Sequence, residues 1–240
     1  LNSHYRRDAR CARLPADGWA THPYIRATFP TALTGFGAND VPFGGVGRLV
    51  TALNRAAAAG MVARRLPIYL TEFGVESYPN TISGVSLNLQ SDYRSIAEYL
   101  ASANPRVASF SQYLLTDSPP ISGPPVDRYQ FQTGLYLYAG HQPKPSYAGF
   151  RLPLVVRRHG SKVSLWGLVR PAGAAQRGGV VTVLYADRGG AYRVLLTTRC
   201  GASGYWSAQA RYRASRHWEV RWTDASGQAF TGPATAAYAF

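Results

Sequence analysis

A glutamate closes an apolar run in segment 66–74, LPIYLTEFG, where Ile68, Tyr69 and Leu70 have the texture of a buried strand between Pro67 and Gly74. A carboxylate in such a place is costly unless it is paired or used. Two other strand-like segments end in groups that could serve it. Segment 16–24, ADGWATHPY, ends in His22 and Tyr24, and segment 106–120, RVASFSQYLLTDSPP, carries Gln112 and Tyr113 with Asp117 just beyond. If the three strands run parallel, all three ends meet on one rim. Glu72 flanked by an imidazole, a phenol and an amide is a set that can hold a nucleophilic carboxylate ionised, because hydrogen bonds to the charged form favour it. Trp19, Phe73 and Tyr78 would add flat apolar faces of the kind sugar rings pack against. The competing reading makes Glu72 a solvated strand-end residue or half of an ion pair, the tyrosines loop packing, and Asp117 a turn-fixing side chain.

The elements needed to bring these residues together are legible. Val46, Leu49, Val50, Leu53, Ala57 and Met61 follow the i, i+3, i+4, i+7 spacing of an amphipathic helix, and the alanine run at 56–59 favours that state. A second helix is expected over 91–103, with Ser91 as N-cap and Asn104-Pro105 as the stop. A strand over about 107–115 follows. The order strand, helix, strand, helix, strand is that of parallel βα units, whose functional groups gather at the C-terminal strand ends. From about Arg151 the period changes to two. Trp218, Val220 and Trp222 alternate with Glu219, Arg221 and Thr223, and Trp206, Ala208 and Ala210 with Ser207, Gln209 and Arg211. Gly-rich turns separate these segments, so an antiparallel β-sandwich of short strands is expected, with its tryptophans, Trp166 included, in the core.

The 240 residues are 46% hydrophobic and 16% charged, a globular composition long enough for two modest cores. The net charge is +14, with 26 Lys+Arg against 12 Asp+Glu. Ten of those net charges fall in residues 151–240, which hold 13 basic and 3 acidic residues. The arginines are scattered and never form a run longer than two, which argues against specific nucleic-acid binding. Such a basic sandwich suits contact with an anionic polymer. No stretch has the roughly 20 apolar residues that a membrane span requires. Cys11 and Cys200 offer no metal-ligand spacing, and no metal or cofactor is implied.

The runs DGWATHPY, LPIYLTEFG and FSQYLLTDSP, separated by two helices, resemble strands six, seven and eight of a (β/α)8-barrel glycoside hydrolase of the retaining cellulase and β-xylosidase type. Segment 133–150, TGLYLYAGHQPKPSYAGF, resembles the part that closes such barrels, with Lys144-Pro145 before a final helix. The resemblance covers about residues 15–150. It implies that Glu72 is the catalytic nucleophile and that Trp19, His22, Tyr24, Gln112 and Tyr113 line a carbohydrate site, although Gln112 stands where many relatives carry an aromatic platform.

The departures shape the expectation. Retaining hydrolysis uses two carboxyl groups roughly 5 Å apart, and the relatives' acid/base glutamate, which follows an asparagine at the end of strand four, has no counterpart here. Glu76 is only four residues beyond Glu72, while Asp117 and Asp127 fall in loops. A complete barrel takes about 250 residues. The fold expected is therefore α/β: residues 1–150 as the C-terminal part of a (β/α)8 (TIM) barrel, comprising about its last three strands, and residues 151–240 as an accessory antiparallel β-sandwich. The function expected is that of a secreted or cell-envelope-associated retaining glycoside hydrolase, present as a fragment without its acid/base residue and inactive by itself. The alternative is a non-catalytic carbohydrate- or envelope-binding protein that keeps the barrel remnant as scaffold.

Overall fold

The structure, a computed structural model, describes residues 4–8, 10–119, 131–171, 179–224 and 226–240; Asp127 lies outside them. Three parallel strands come first, β1 (Trp19–Thr21), β2 (Ile68–Phe73) and β3 (Val107–Gln112), in spatial order β1-β2-β3. Helix α1 (Val46–Ala58) joins β1 to β2, and α2 (Leu87–Ser102) joins β2 to β3. The register pairs Trp19 with Ile68 and Thr21 with Leu70, and β2 pairs with β3 from Ile68↔Val107 to Phe73↔Gln112. Ile68, Leu70 and Phe73 are fully buried against α1 and α2, with Leu49, Leu53, Ala97 and Ala101 in the same cluster. By the period of two, Tyr69 and Thr71 lie on the opposite face and are exposed.

The element boundaries depart from expectation at three places. β1 is three residues long, because Pro23 cannot extend the ladder. α2 begins at Leu87, capped by Ser86, whose Oγ accepts from Leu89 N at 3.3 Å; Ser91 is a buried residue inside the helix. α1 stops before Met61 because Gly60 takes φ +73°, letting Gly60 N donate to Ala57 O and Met61 N to Ala56 O, a glycine-terminated C-cap.

A short helix, α3 (Pro145–Arg151), leads into eight strands: β4 (Leu154–His159), β5 (Lys162–Leu168), β6 (Val180–Ala186), β7 (Arg193–Arg199), β8 (Tyr205–Arg211), β9 (His217–Thr223), β10 (Ala229–Thr231) and β11 (Ala237–Tyr238). They form two four-stranded sheets, β10-β9-β6-β7 and β11-β4-β5-β8. Their pairing is antiparallel except that β11 runs parallel to β4. Trp206, Trp218 and Trp222 join Val163, Leu165, Val181 and Val183 in their core. Trp166 does not, since it sits on the other face of β5, with its ring 5.5 Å from Tyr99 of α2 and 5.7 Å from Tyr205.

That seam between the two parts is also polar. Glu98 of α2 accepts from Arg94 at 2.8 Å and from Arg170, and both guanidinium groups lie 4.5 Å from the Phe150 ring.

Candidate functional site

Glu72 is the penultimate residue of the central strand, β2, and its side chain is about one-third exposed. Beyond the last β1 residue the chain turns tightly, with Tyr24 N donating to His22 O at 2.9 Å, so that residues 22 and 24 both reach back to β2. The Tyr24 hydroxyl donates to Glu72 Oε2 at 2.9 Å, and His22 Nδ1 lies 3.5 Å from the same oxygen. Among the described residues, Glu72 Oε1 has no hydrogen-bond partner. One oxygen is held while the other is unengaged among the described residues. Burial, and next the bond to Glu72, push the Tyr24 phenol well above its ordinary pKa, so it remains a donor.

Aromatic packing fixes this arrangement. The Tyr24 ring lies 6.1 Å from Tyr113 at 88° and 5.7 Å from Phe131, and Tyr113 and Phe131 meet at 5.2 Å. Such edge contacts suit aromatic quadrupoles. Gly74, next but one after Glu72, is required sterically: a Cβ there would stand 2.4 Å from both Tyr113 O and Thr133 Cβ. The glycine of the TEFG run thus lets segments 113 and 133 close over the strand end.

His22, Tyr24 and Tyr113 are therefore gathered around Glu72, whereas other residues read as sugar contacts are not. Trp19 pairs with Ile68 at the start of the strand, four residues before Glu72, which at roughly 3.3 Å per residue leaves it at the opposite end of the sheet. Gln112 is occupied: its Oε1 accepts from Arg94 Nε at 3.0 Å, while Nε2 donates to Thr133 O at 2.8 Å and Leu114 O at 3.3 Å. It is a brace rather than a free ligand contact. Phe73 is wholly buried, packed 5.2 Å from Phe43 and 5.1 Å from Phe110, while Tyr78 is exposed. Sequence reasoning missed Phe131, which follows a proline-rich stretch of sequence with no periodic pattern to mark it.

Glu76 and Asp117 are both engaged. Glu76 Oε2 accepts from Gln132 N at 2.7 Å, and burial raises its pKa. Asp117 Oδ1 accepts from Lys144 Nζ at 2.6 Å and from Gly134 N at 2.8 Å, with the Asp117 and Lys144 side chains almost fully buried. Among the described residues no cluster of three or more His, Cys, Asp or Glu side chains could hold a metal ion, and no helix is long and apolar enough to cross a membrane.

No family model matches the chain, and neither does any curated protein. Solved structures with partial similarity include a calcium-binding mutant of Bacteroides uniformis beta-glucuronidase 2 (11% identity, TM-score 0.40) and Bacteroides uniformis beta-glucuronidase (11%, 0.39). A Bacteroides fragilis protein assigned as a beta-galactosidase also matches (12%, 0.42). Each match covers 93% of this chain but only 26%, 26% and 33% of the respective partner, so the chain spans about a quarter to a third of their length. Likeness at these TM-scores does not establish a shared fold. None of the three is named as a cellulase or β-xylosidase.

Proposed function

We propose that the chain carries the nucleophile half of a retaining glycoside hydrolase site, with Glu72 as the attacking carboxylate. In this reading β1, β2 and β3 are the last three strands of a (β/α)8 barrel, and the sandwich is its accessory domain. The observation that carries the proposal is the asymmetric tethering of Glu72. Oε2 is held by the Tyr24 hydroxyl with His22 beside it, while Oε1 is unengaged among the described residues. A carboxylate positioned through one oxygen can present the other to an anomeric carbon without paying for reorientation. Attack would form a glycosyl ester on Glu72 and release the aglycone oxygen, which takes a proton from a second carboxylic acid. Water activated by that second group would then hydrolyse the ester. The second group is not supplied by Glu76 or Asp117 as they stand, since both are committed to internal partners.

The test is made in an active polypeptide that contains this chain. Glu72→Gln should lower kcat by more than about a hundredfold while leaving fold and sugar binding intact. Azide should restore turnover of an activated aryl glycoside to Glu72→Ala and give a product of inverted configuration. A Gln variant that keeps more than about one-hundredth of the activity would remove Glu72 from the role of nucleophile.

A second reading follows from the engagement of Glu76 and Asp117. The rim would then bind carbohydrate without cleaving it, and Glu72→Gln would change affinity while no polypeptide containing the chain, of whatever length, showed turnover.

A further inference from the structure

Three arginines of the sandwich line one cleft that the Glu72 site does not involve. Among the described residues strand β7 pairs only with β6, and β8 only with β5, so the two sheets present free edges beside each other. Between those edges lies a cleft of about 460 Å³. Its polar lining includes Gln209, Arg211, Arg213 and Arg216. Arg216 is 7% exposed and locked in place, with Nε 2.9 Å from Asp187 Oδ1 and Nη2 3.3 Å from Oδ2, and its guanidinium lies 3.9 Å from the centroid of Tyr185.

Arg211 and Arg213 are different. Both are exposed, and among the described residues neither side chain has a hydrogen bond or ion pair. Arg211 also stands directly across the β5–β8 ladder from Lys162. Like charges in a cross-strand pair repel. The acid held at the cleft among the described residues is Asp187, which is already matched by Arg216. The site thus has an excess of positive charge, partly pre-arranged, around a concave space. An anion is the complement it lacks.

The lining also restricts the kind of anion. Nucleic-acid strands bind through aromatic faces on which bases stack; here the one aromatic in the lining, Tyr185, is covered by Arg216. An acidic peptide would add as a strand along a regular edge, and on the β7 side the edge is bulged within the cleft. The register passes from Val183↔Leu196 to Leu184↔Val194, leaving Leu195 unpaired and bending that edge. The arginine fork, the Gln209 amide and the aliphatic surfaces of Leu195 and Leu196 instead suit a polyhydroxylated ligand with charged substituents. We propose that the cleft between the edges of β7 and β8 is a binding site for an acidic saccharide, one whose rings carry carboxylate or sulfate groups. This inference does not depend on Glu72 being catalytic.

The experiment uses the full chain and titration calorimetry at about 50 mM salt, with repeats at higher ionic strength. Four probes are compared: a polyuronate oligosaccharide, a sulfated oligosaccharide, their neutral counterpart, and a single-stranded oligonucleotide of equal charge. Binding of either acidic saccharide, with the neutral one silent, is the expected result, and which one binds identifies the anionic group. Arg211→Ser with Arg213→Ser should weaken that binding by about tenfold or more. The control Arg13→Ser with Arg64→Ser removes the same charge at exposed positions outside the cleft and should change it less than about twofold. All four positions are exposed, and an unchanged thermal midpoint confirms the fold. Equal weakening by the two pairs would show diffuse charge rather than a site. Tighter binding of the oligonucleotide, or no binding of either acidic saccharide, would equally overturn the proposal.

Discussion

The Lys144 ammonium donates to Asp117 Oδ1 at 2.6 Å, to Ser77 Oγ at 3.0 Å and to the Gln132 carbonyl at 3.2 Å, at a position only 2% exposed. Burial pushes the lysine's pKa down and the aspartate's up, and their attraction offsets part of both. The pair ties the turn after β3 to the start of α3, and so fixes the segment from which Phe131 reaches Tyr24. Lys144→Met should therefore destabilise by about 3–5 kcal/mol, because it leaves a buried carboxylate without its counter-charge. Asp117→Asn should cost less than that, since the amide still accepts from Gly134 N. Urea titration of both variants and of the double variant checks this: a lysine effect below about 1 kcal/mol would mean that the pair is solvated rather than buried. Neither reading open for Asp117 in the sequence, fixing the TDSPP turn or touching substrate, names these partners, which lie 17 and 27 residues further along the chain. Glu72, His22, Tyr24 and Tyr113 can be found in the sequence because they end apolar strands. The places of Gln112 and Trp19 cannot, since a strand-end position reveals neither the neighbours of a side chain nor how short β1 is.

Helix α2 links the two sheet systems, and one of its contacts titrates. Asp92 Oδ2 accepts from the Tyr238 hydroxyl of β11 at 2.5 Å, yet burial outweighs that bond and lifts the carboxyl from 3.8 to about 6. Below about pH 4 the folded and unfolded chains both hold this proton, and its contribution to stability is fully present. As pH rises the unfolded chain releases the proton first, so the contribution falls away until pH passes about 6. A shift of about two units corresponds to at most about 3 kcal/mol. Asp92→Asn keeps an oxygen for Tyr238 and removes the titration. Its stability relative to the parent should rise between pH 4 and 7 by about 1–3 kcal/mol, read from urea midpoints at each pH; parallel curves for the two proteins would show that Asp92 is not the group responsible. No pattern in the sequence points to this contact, which joins residues 146 positions apart. Helix α1, strands β2 and β3 and most sandwich strands are legible there, because their periods of 3.6 and 2 are clear. The start of α2 is not, because helix spacing alone does not distinguish a capping serine such as Ser86 from a buried one such as Ser91.

At the scale of the whole molecule the two sheet systems differ in how completely they are covered. The sandwich buries three tryptophans between its sheets. The parallel sheet is covered by α1 and α2 on one face, while on the other Tyr69 (39%) and Thr71 are exposed to solvent; Trp19 (38%) of β1 is exposed as well, on the face of its ladder partner Ile68. Parallel sheets occur almost only with both faces buried, and β1 and β3 each leave one edge without a strand among the described residues. Unpaired edges beside an apolar face favour association with another chain. The 240-residue chain by itself is therefore expected to self-associate at micromolar concentration and to enhance the fluorescence of a hydrophobic dye. Trp19→Ser combined with Tyr69→Thr should reduce the dye signal, because both side chains lie on the exposed surface and neither belongs to a buried cluster. Light scattering with size-exclusion chromatography measures the first effect and dye titration the second. A strictly monomeric chain that leaves the dye dark would show that this face is stable in water, and the reading of β1–β3 as part of a larger parallel barrel would lose its main physical motive.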